Sequence, residues 1–142
     1  SKGVGNHHYT LNFSQAMIQR DIKFSIQDKT FTAKFPNVGQ MIDMESLKQA
    51  LTRGKYGQMA QSGVASAYFA LDLVDAISFF QVCAPMVGKY FEIRDYTEVD
   101  LNVADELVKT YREVIKPWYD QTLIDIRNVA PIEEGNGEGK AE

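Results

Sequence analysis

The most regular patterning in the chain lies between residues 22 and 35. Ile22, Phe24 and Ile26 alternate with polar residues, and so do Phe31, Ala33 and Phe35. That is the period of a strand with one buried face. A two-residue turn at Asp28-Lys29 pairs Ile26 with Phe31, Phe24 with Ala33 and Ile22 with Phe35; that pair lacks the favoured glycine, which leaves a longer or bulged turn as the alternative. Every apolar side chain then falls on one side of the ribbon. A lone hairpin is marginally stable in water, so that face must cover helices or another subunit.

Pro36-Asn37-Val38-Gly39 ends the alternation, and the period changes from two to that of a helix. Met41, Met44, Leu47 and Leu51 recur at helical spacing, which predicts a helix from Gln40 to Leu51. Arg53-Gly54 closes it, with glycine where a left-handed residue costs least. Residues Tyr56 to Gln61 read as one further helical turn before Ser62-Gly63. Val64 to Val82 is the most apolar segment, broken chiefly by Asp72 and Asp75. A helix apolar nearly all round is central to a fold or shared between subunits. Pro85 and Gly88 are expected to stop it, and Tyr90 to Ile93 reads as a short strand. A last helix starts near Asn102, with Asp105 and Glu106 in its first turn. Its stripe is Val103, Leu107, Val108, Tyr111, Val114, Ile115 and Trp118, with Leu123 and Ile126 beyond a kink or break at Pro117.

These elements predict a mainly helical α+β fold, an N-terminal antiparallel β-hairpin packed on three or four helices. The expected organisation is an extended arm over 1–21, a single domain over 22–130 and a flexible acidic tail over 131–142. In the arm, Tyr9, Leu11 and Phe13 alternate and suit strand addition to a neighbour. The tail, ending "IEEGNGEGKAE", is too polar to bury.

Composition narrows the classes of function. At 142 residues the chain is long enough for a core without metals or disulfides. A formal net charge of −4, with no runs of Lys or Arg, argues against nucleic acid. Cys83 is the single cysteine and sits in "ISFFQVCAPMV", where a buried, inert thiol is expected. No run of 18 apolar residues and no leader pattern occurs, so a soluble, cytoplasmic chain without membrane contact is expected.

Three constellations invite a chemical reading. "TRGKYGQ", residues 52–58, carries the glycines and lysine of a phosphate loop. Gln49, however, stands where that loop needs its first glycine, and Tyr56 replaces the hydroxyl residue that would hold magnesium. The stretch also follows a helix rather than a buried strand, so it reads as a corner between helices. His7-His8 is an adjacent pair whose side chains diverge, short of the three or four ligands a metal requires. Asp72 and Asp75, with Asp43 and Glu45 on the preceding helix, could work as acid and base or hold a metal. As residues on a helix they more often mark a wet stripe or bond a neighbouring arginine. No catalytic residue, metal or cofactor is therefore assigned. Most of the aromatic side chains are expected in the core, but aromatic and methionine side chains on helices also suit a protein-binding groove. The candidate partner contacts are Met41, Met44, Tyr56, Met59, Tyr68 and Asp72, with Asp72 also a candidate for an interface or buried network.

The run "IKFSIQDKTFTAKFPNVGQMIDMESLKQALTRGKYGQM", followed by "YFALDLVDAISFF", resembles the tail assembly chaperones of long-tailed bacteriophages. Those small proteins open with a charged-turn hairpin, here Asp28-Lys29, and continue as a helical domain. The resemblance covers roughly Ile22 to Trp118. It implies a non-enzymatic morphogenesis protein of the host cytoplasm that binds the tape-measure protein and aids tail tube assembly. It also implies helix-in-groove contacts, phage structural or assembly proteins as partners, and a homo-oligomer. The alternative is a structural virion component, such as a connector, ring or capsid-associated protein, which an N-terminal arm would suit.

Overall fold

The structure is a computed structural model, and it describes residues 18–129. The arm up to residue 17, with His7-His8 and its alternating apolar residues, lies outside the described residues, as does the acidic tail. Asp21–Pro117 forms one compact unit, and the described residues that flank it group separately. The elements of the larger unit run β1 (Asp21–Ile26), β2 (Lys29–Lys34), α1 (Val38–Thr52), α2 (Tyr56–Gln61), α3 (Ala65–Cys83), α4 (Pro85–Tyr90) and α5 (Leu101–Thr110). A short 3-10 turn spans Tyr96–Glu98, and a π-helical stretch, Tyr111–Ile115, follows α5. This is the mainly helical α+β architecture that the patterning predicts.

The strands form an antiparallel hairpin, but in a different register from the expected one. Ile26 pairs with Lys29, Phe24 with Phe31 and Ile22 with Ala33. The turn residues are Gln27 and Asp28, both left-handed at φ 51° and 68°. Two left-handed residues are what a type I′ turn uses, and its twist matches that of the strands. The expected and observed registers differ by two residues, so both keep the apolar set on one face. Alternation alone does not separate them. Phe24, Ile26, Phe31 and Ala33 are buried, and the other face, from Asp21 to Lys34, is exposed. The corrected register sets Phe24 against Phe31, with ring centroids 5.7 Å apart.

Helix α3 is the centre on which the unit packs. α1, α2, α4 and α5 all lie against it, and β1 packs on α5. Its length and hydropathy would also suffice to cross a membrane, but Leu71, Val74, Phe79 and Phe80 are here buried among the other elements. Phe80 meets Phe24 of the hairpin at 5.8 Å, and Phe79 meets Tyr111 at 6.2 Å. α1 begins at a capping box: Asn37 accepts from the Gln40 amide, while the Gln40 side chain accepts from the Asn37 amide.

Three further expectations are corrected. Ala84 ends α3, and Pro85 opens α4 instead of merely stopping the preceding helix. Proline at a first helical position forfeits no bond, because that N–H has no partner inside the helix. Tyr90 to Ile93 is not a strand: Tyr90 closes α4, and Ile93 donates back to the Gly88 carbonyl at 2.8 Å. α5 starts at Leu101, so Asp105 and Glu106 fall in its second turn.

Pro117 neither breaks nor divides the last helix. The backbone widens instead, with the Lys116 amide bonded to the Tyr111 carbonyl five residues back. Proline has no N–H, and its ring crowds the carbonyl four residues earlier, that of Glu113. A π-helical turn just upstream accommodates both effects, and α6 runs on over Lys116–Asn128. Within the flanking group, Trp118 Nε1 and the Thr122 hydroxyl donate to the Gln19 carbonyl at 2.9 and 3.2 Å.

Candidate functional site

The corner predicted at "TRGKYGQ" joins α1 to α2, and its geometry follows from the local sequence. Arg53 takes the left-handed conformation at φ 55° and Gly54 at φ 79°. The Gly54 amide bonds the Gln49 carbonyl at 2.8 Å and the Arg53 amide bonds that of Ala50 at 3.3 Å, which satisfies the helix end. α2 follows as a helix of six residues capped by Ser62, and the left-handed Gly63, φ 72°, comes next. The stretch therefore connects two helices, with no strand before it, as its departures from a phosphate loop imply.

A polar cluster sits where α1, α2 and α3 meet. The Tyr56 hydroxyl donates to Asp75 Oδ1 at 2.6 Å. Lys48 Nζ lies 3.7 Å from the same oxygen and 2.8 Å from Glu45 Oε2, and its ammonium stands 5.5 Å from the centre of the Tyr56 ring. Burial lifts the Asp75 carboxyl above its ordinary pKa, and the charge of Asp72 adds to that. The Tyr56 hydrogen bond and the Lys48 charge work against it. Burial also raises the Tyr56 hydroxyl, and the hydrogen bond to Asp75 raises it further. The tyrosine thus stays protonated and acts as a fixed donor.

Asp72, three residues earlier, faces a different partner. Arg112 Nε and Nη2 both donate to its Oδ2, at 3.1 and 2.9 Å. The two aspartates are therefore engaged by separate partners, and Asp72 bonds an arginine as a structural residue would. Among the described residues no group of three or more His, Cys, Asp or Glu side chains is placed to hold a metal.

Apart from Asp72, the expected contact residues divide into three sets. Tyr56, Met59 and Tyr68 lie on α2 and the first turns of α3, with Tyr56 and Met59 half-buried and Tyr68 half exposed. Met41 lies apart on the outer side of α1, where it lines a shallow, apolar depression with Ile42, Glu45 and Gln49. Met44 is a core residue, 5% exposed, with its sulfur 3.5 Å from Cys83 Sγ. This corrects the expectation of Met44 as a contact: its place in the helical stripe faces α3 rather than outward. Burial pushes the Cys83 thiol up to about 11, which keeps it protonated and unreactive near neutral pH.

Sequence reasoning missed two features. Lys48 joins Glu45, Tyr56 and Asp75 into one cluster, and its i, i+3 spacing from Glu45 was the available signal. A groove of about 880 Å3 also opens between α1, α3 and α4, lined by Leu47, Leu51, Ile77, Gly88 and Tyr96. The Tyr96 hydroxyl is buried there without a hydrogen-bond partner. Residues so distant in sequence gave no sign of meeting.

Exposed apolar side chains complete the picture: Val38 and Ile42 on α1, and Val64 and Tyr68 at the start of α3, are each at least half exposed. Comparison with known proteins gives no match, whether to a protein-family model, a curated protein or a solved structure.

Proposed function

We propose that this chain is a non-enzymatic phage morphogenesis protein, a tail assembly chaperone that binds the tape-measure protein and aids tail tube assembly. The observation that carries the reading is the exposure of large apolar side chains on α1 and at the start of α3. Val38 and Ile42 stand one helical turn apart on α1, and Val64 and Tyr68 one turn apart on α3. Paired apolar positions of that spacing are what an amphipathic helix of a partner docks against. Met41 and Met59, with three rotatable bonds each, let such a surface adapt to a long and varied helical partner. Binding of this kind needs no covalent step and holds apolar helices in solution before the tube closes around them.

The test is co-expression with the tape-measure protein of the same phage. The proposal expects the tape-measure protein to move from the insoluble to the soluble fraction and to co-purify with this chain. Loss of rescue with Ile42→Glu and Tyr68→Glu together would tie the effect to the exposed apolar positions. Unchanged insolubility overturns the chaperone reading. Recovery of this chain in stoichiometric amount from purified virions also overturns it, in favour of a connector or ring component.

A further inference from the structure

We infer that α2 is a latched cover, and that the α3 surface it occupies is a docking site for a partner helix presenting an aromatic side chain and a hydrogen-bond donor to Asp75. This deepens the protein-binding reading above by naming a surface and the chemistry of its occupant.

The segment has the construction of a hinged flap. It is bounded by left-handed residues, Arg53 and Gly54 on one side and Gly63 on the other. A side chain at Gly54, Gly57 or Gly63 would meet nothing within 4 Å. At Gly54 and Gly63 it is therefore backbone conformation rather than close packing that favours glycine. Between the hinges, α2 contains no buried residue, and its first turn has no side-chain cap. An element of six residues without a buried side chain gains little from the hydrophobic effect. Its specific anchor is the 2.6 Å bond from Tyr56 to Asp75, framed by Lys48.

The surface beneath is poorly covered even with α2 in place. α3 is buried at Leu71, Val74 and Ala76, yet none of its residues from Ala65 to Ala70 is buried. Val64 is 53% and Tyr68 50% exposed. α2 itself defines what fits there: a helix lying against α3, with an aromatic ring beside Lys48 and a hydroxyl reaching a carboxylate. A partner helix with a tyrosine in that place repeats each contact and, being longer, covers Val64 and Tyr68 as well. The occupant is thus a tyrosine-bearing amphipathic helix of another protein, and α2 is its internal stand-in.

Hydrogen exchange on the full chain, together with a labelled probe peptide, tests the inference without any phage partner. Tyr56→Phe removes the latch bond and keeps the ring. The hydrogen-bonded amides from Met59 to Ser62 should exchange about tenfold faster, the scale of one lost charge-assisted hydrogen bond, while those from Val74 to Phe80 keep their rates. The probe is a fluorescein-labelled, hydrocarbon-stapled peptide copying residues 53–63 with its tyrosine, followed by anisotropy. It should bind Tyr56→Phe about tenfold more tightly than the wild type, and adding Asp75→Ala, which leaves no acceptor, should abolish that gain. Unchanged exchange in α2 overturns the latch, and so does acceleration throughout the chain, which would make α2 integral to the fold. Equal binding to wild type and Tyr56→Phe, or a gain that survives Asp75→Ala, overturns the docking site. Either failure leaves the outer face of α1 available to a tape-measure protein, and failed co-expression leaves the latch standing.

Discussion

The hairpin with α3 and the corner around α2 are neighbours in sequence, and they are built on opposite principles. Phe24, Phe31, Phe79 and Phe80 interlock across β1, β2 and α3, each no more than 6% exposed. α2 has no fully buried residue, only the half-buried Tyr56 and Met59, and is bounded by left-handed residues. In the first region stability comes from area removed from water, which is non-directional and large in sum. In the second it rests on one hydrogen-bonded cluster, which is directional and modest in net value. Segments of the second kind open at low cost, and binding surfaces are drawn from them.

The contrast can be broken most directly by truncating both regions. Phe80→Ala should cost about 3–5 kcal/mol, because its ring is fully enclosed and the cavity left behind refills poorly. Met59→Ala on α2 should cost about 1 kcal/mol or less. Urea denaturation measures both, and equal costs would erase the distinction between core and flap.

A pH series sharpens it at the cluster. Folding raises the Asp75 pKa above 3.8, so the native state holds that proton more tightly than the unfolded chain. The linked stability is fully present below 3.8 and is lost as pH rises through the folded value. The stability of wild type minus that of Asp75→Asn should therefore fall as pH is raised from about 3 to about 7. A difference that grows over this range would show instead that Lys48 and Tyr56 outweigh burial at Asp75.

Tyr96→Phe probes the core side of the comparison with a change of opposite sign. The hydroxyl is buried and unpartnered, so removing it should stabilise the fold by about 1 kcal/mol in the same denaturation assay. The smallest effect is expected for Asp72→Asn. Its ion pair with Arg112 is partly exposed on both sides, and such pairs contribute about 0–1 kcal/mol, fading as salt is added.

Much of this arrangement was legible in the residues. Alternation at Ile22–Ile26 and Phe31–Phe35 specifies a ribbon with one apolar face. Helical spacing from Met41 to Leu51 and the apolar run from Val64 specify two helices. The missing first glycine and the tyrosine at position 56 identify a corner rather than a phosphate loop. What was not legible required distances across the chain. The contact role expected of Met44 failed because spacing marks a stripe without saying what covers it. Tyr56 was singled out, but its bond to Asp75 nineteen residues on depends on how α1 and α3 pack.

The sequence by itself determined element types, the sidedness of the hairpin and the helix-ending turn at Arg53-Gly54, since each follows from local sterics and a repeating period. Tertiary structure decided the hairpin register, the π-helical route past Pro117 and the Tyr56–Asp75–Lys48 cluster. The physical reason is the same in each case. Two registers two residues apart bury the same face, a proline can be met by a kink or a widened turn, and a carboxylate can find several partners. Local chemistry leaves such choices nearly balanced, and packing against the rest of the fold selects among them.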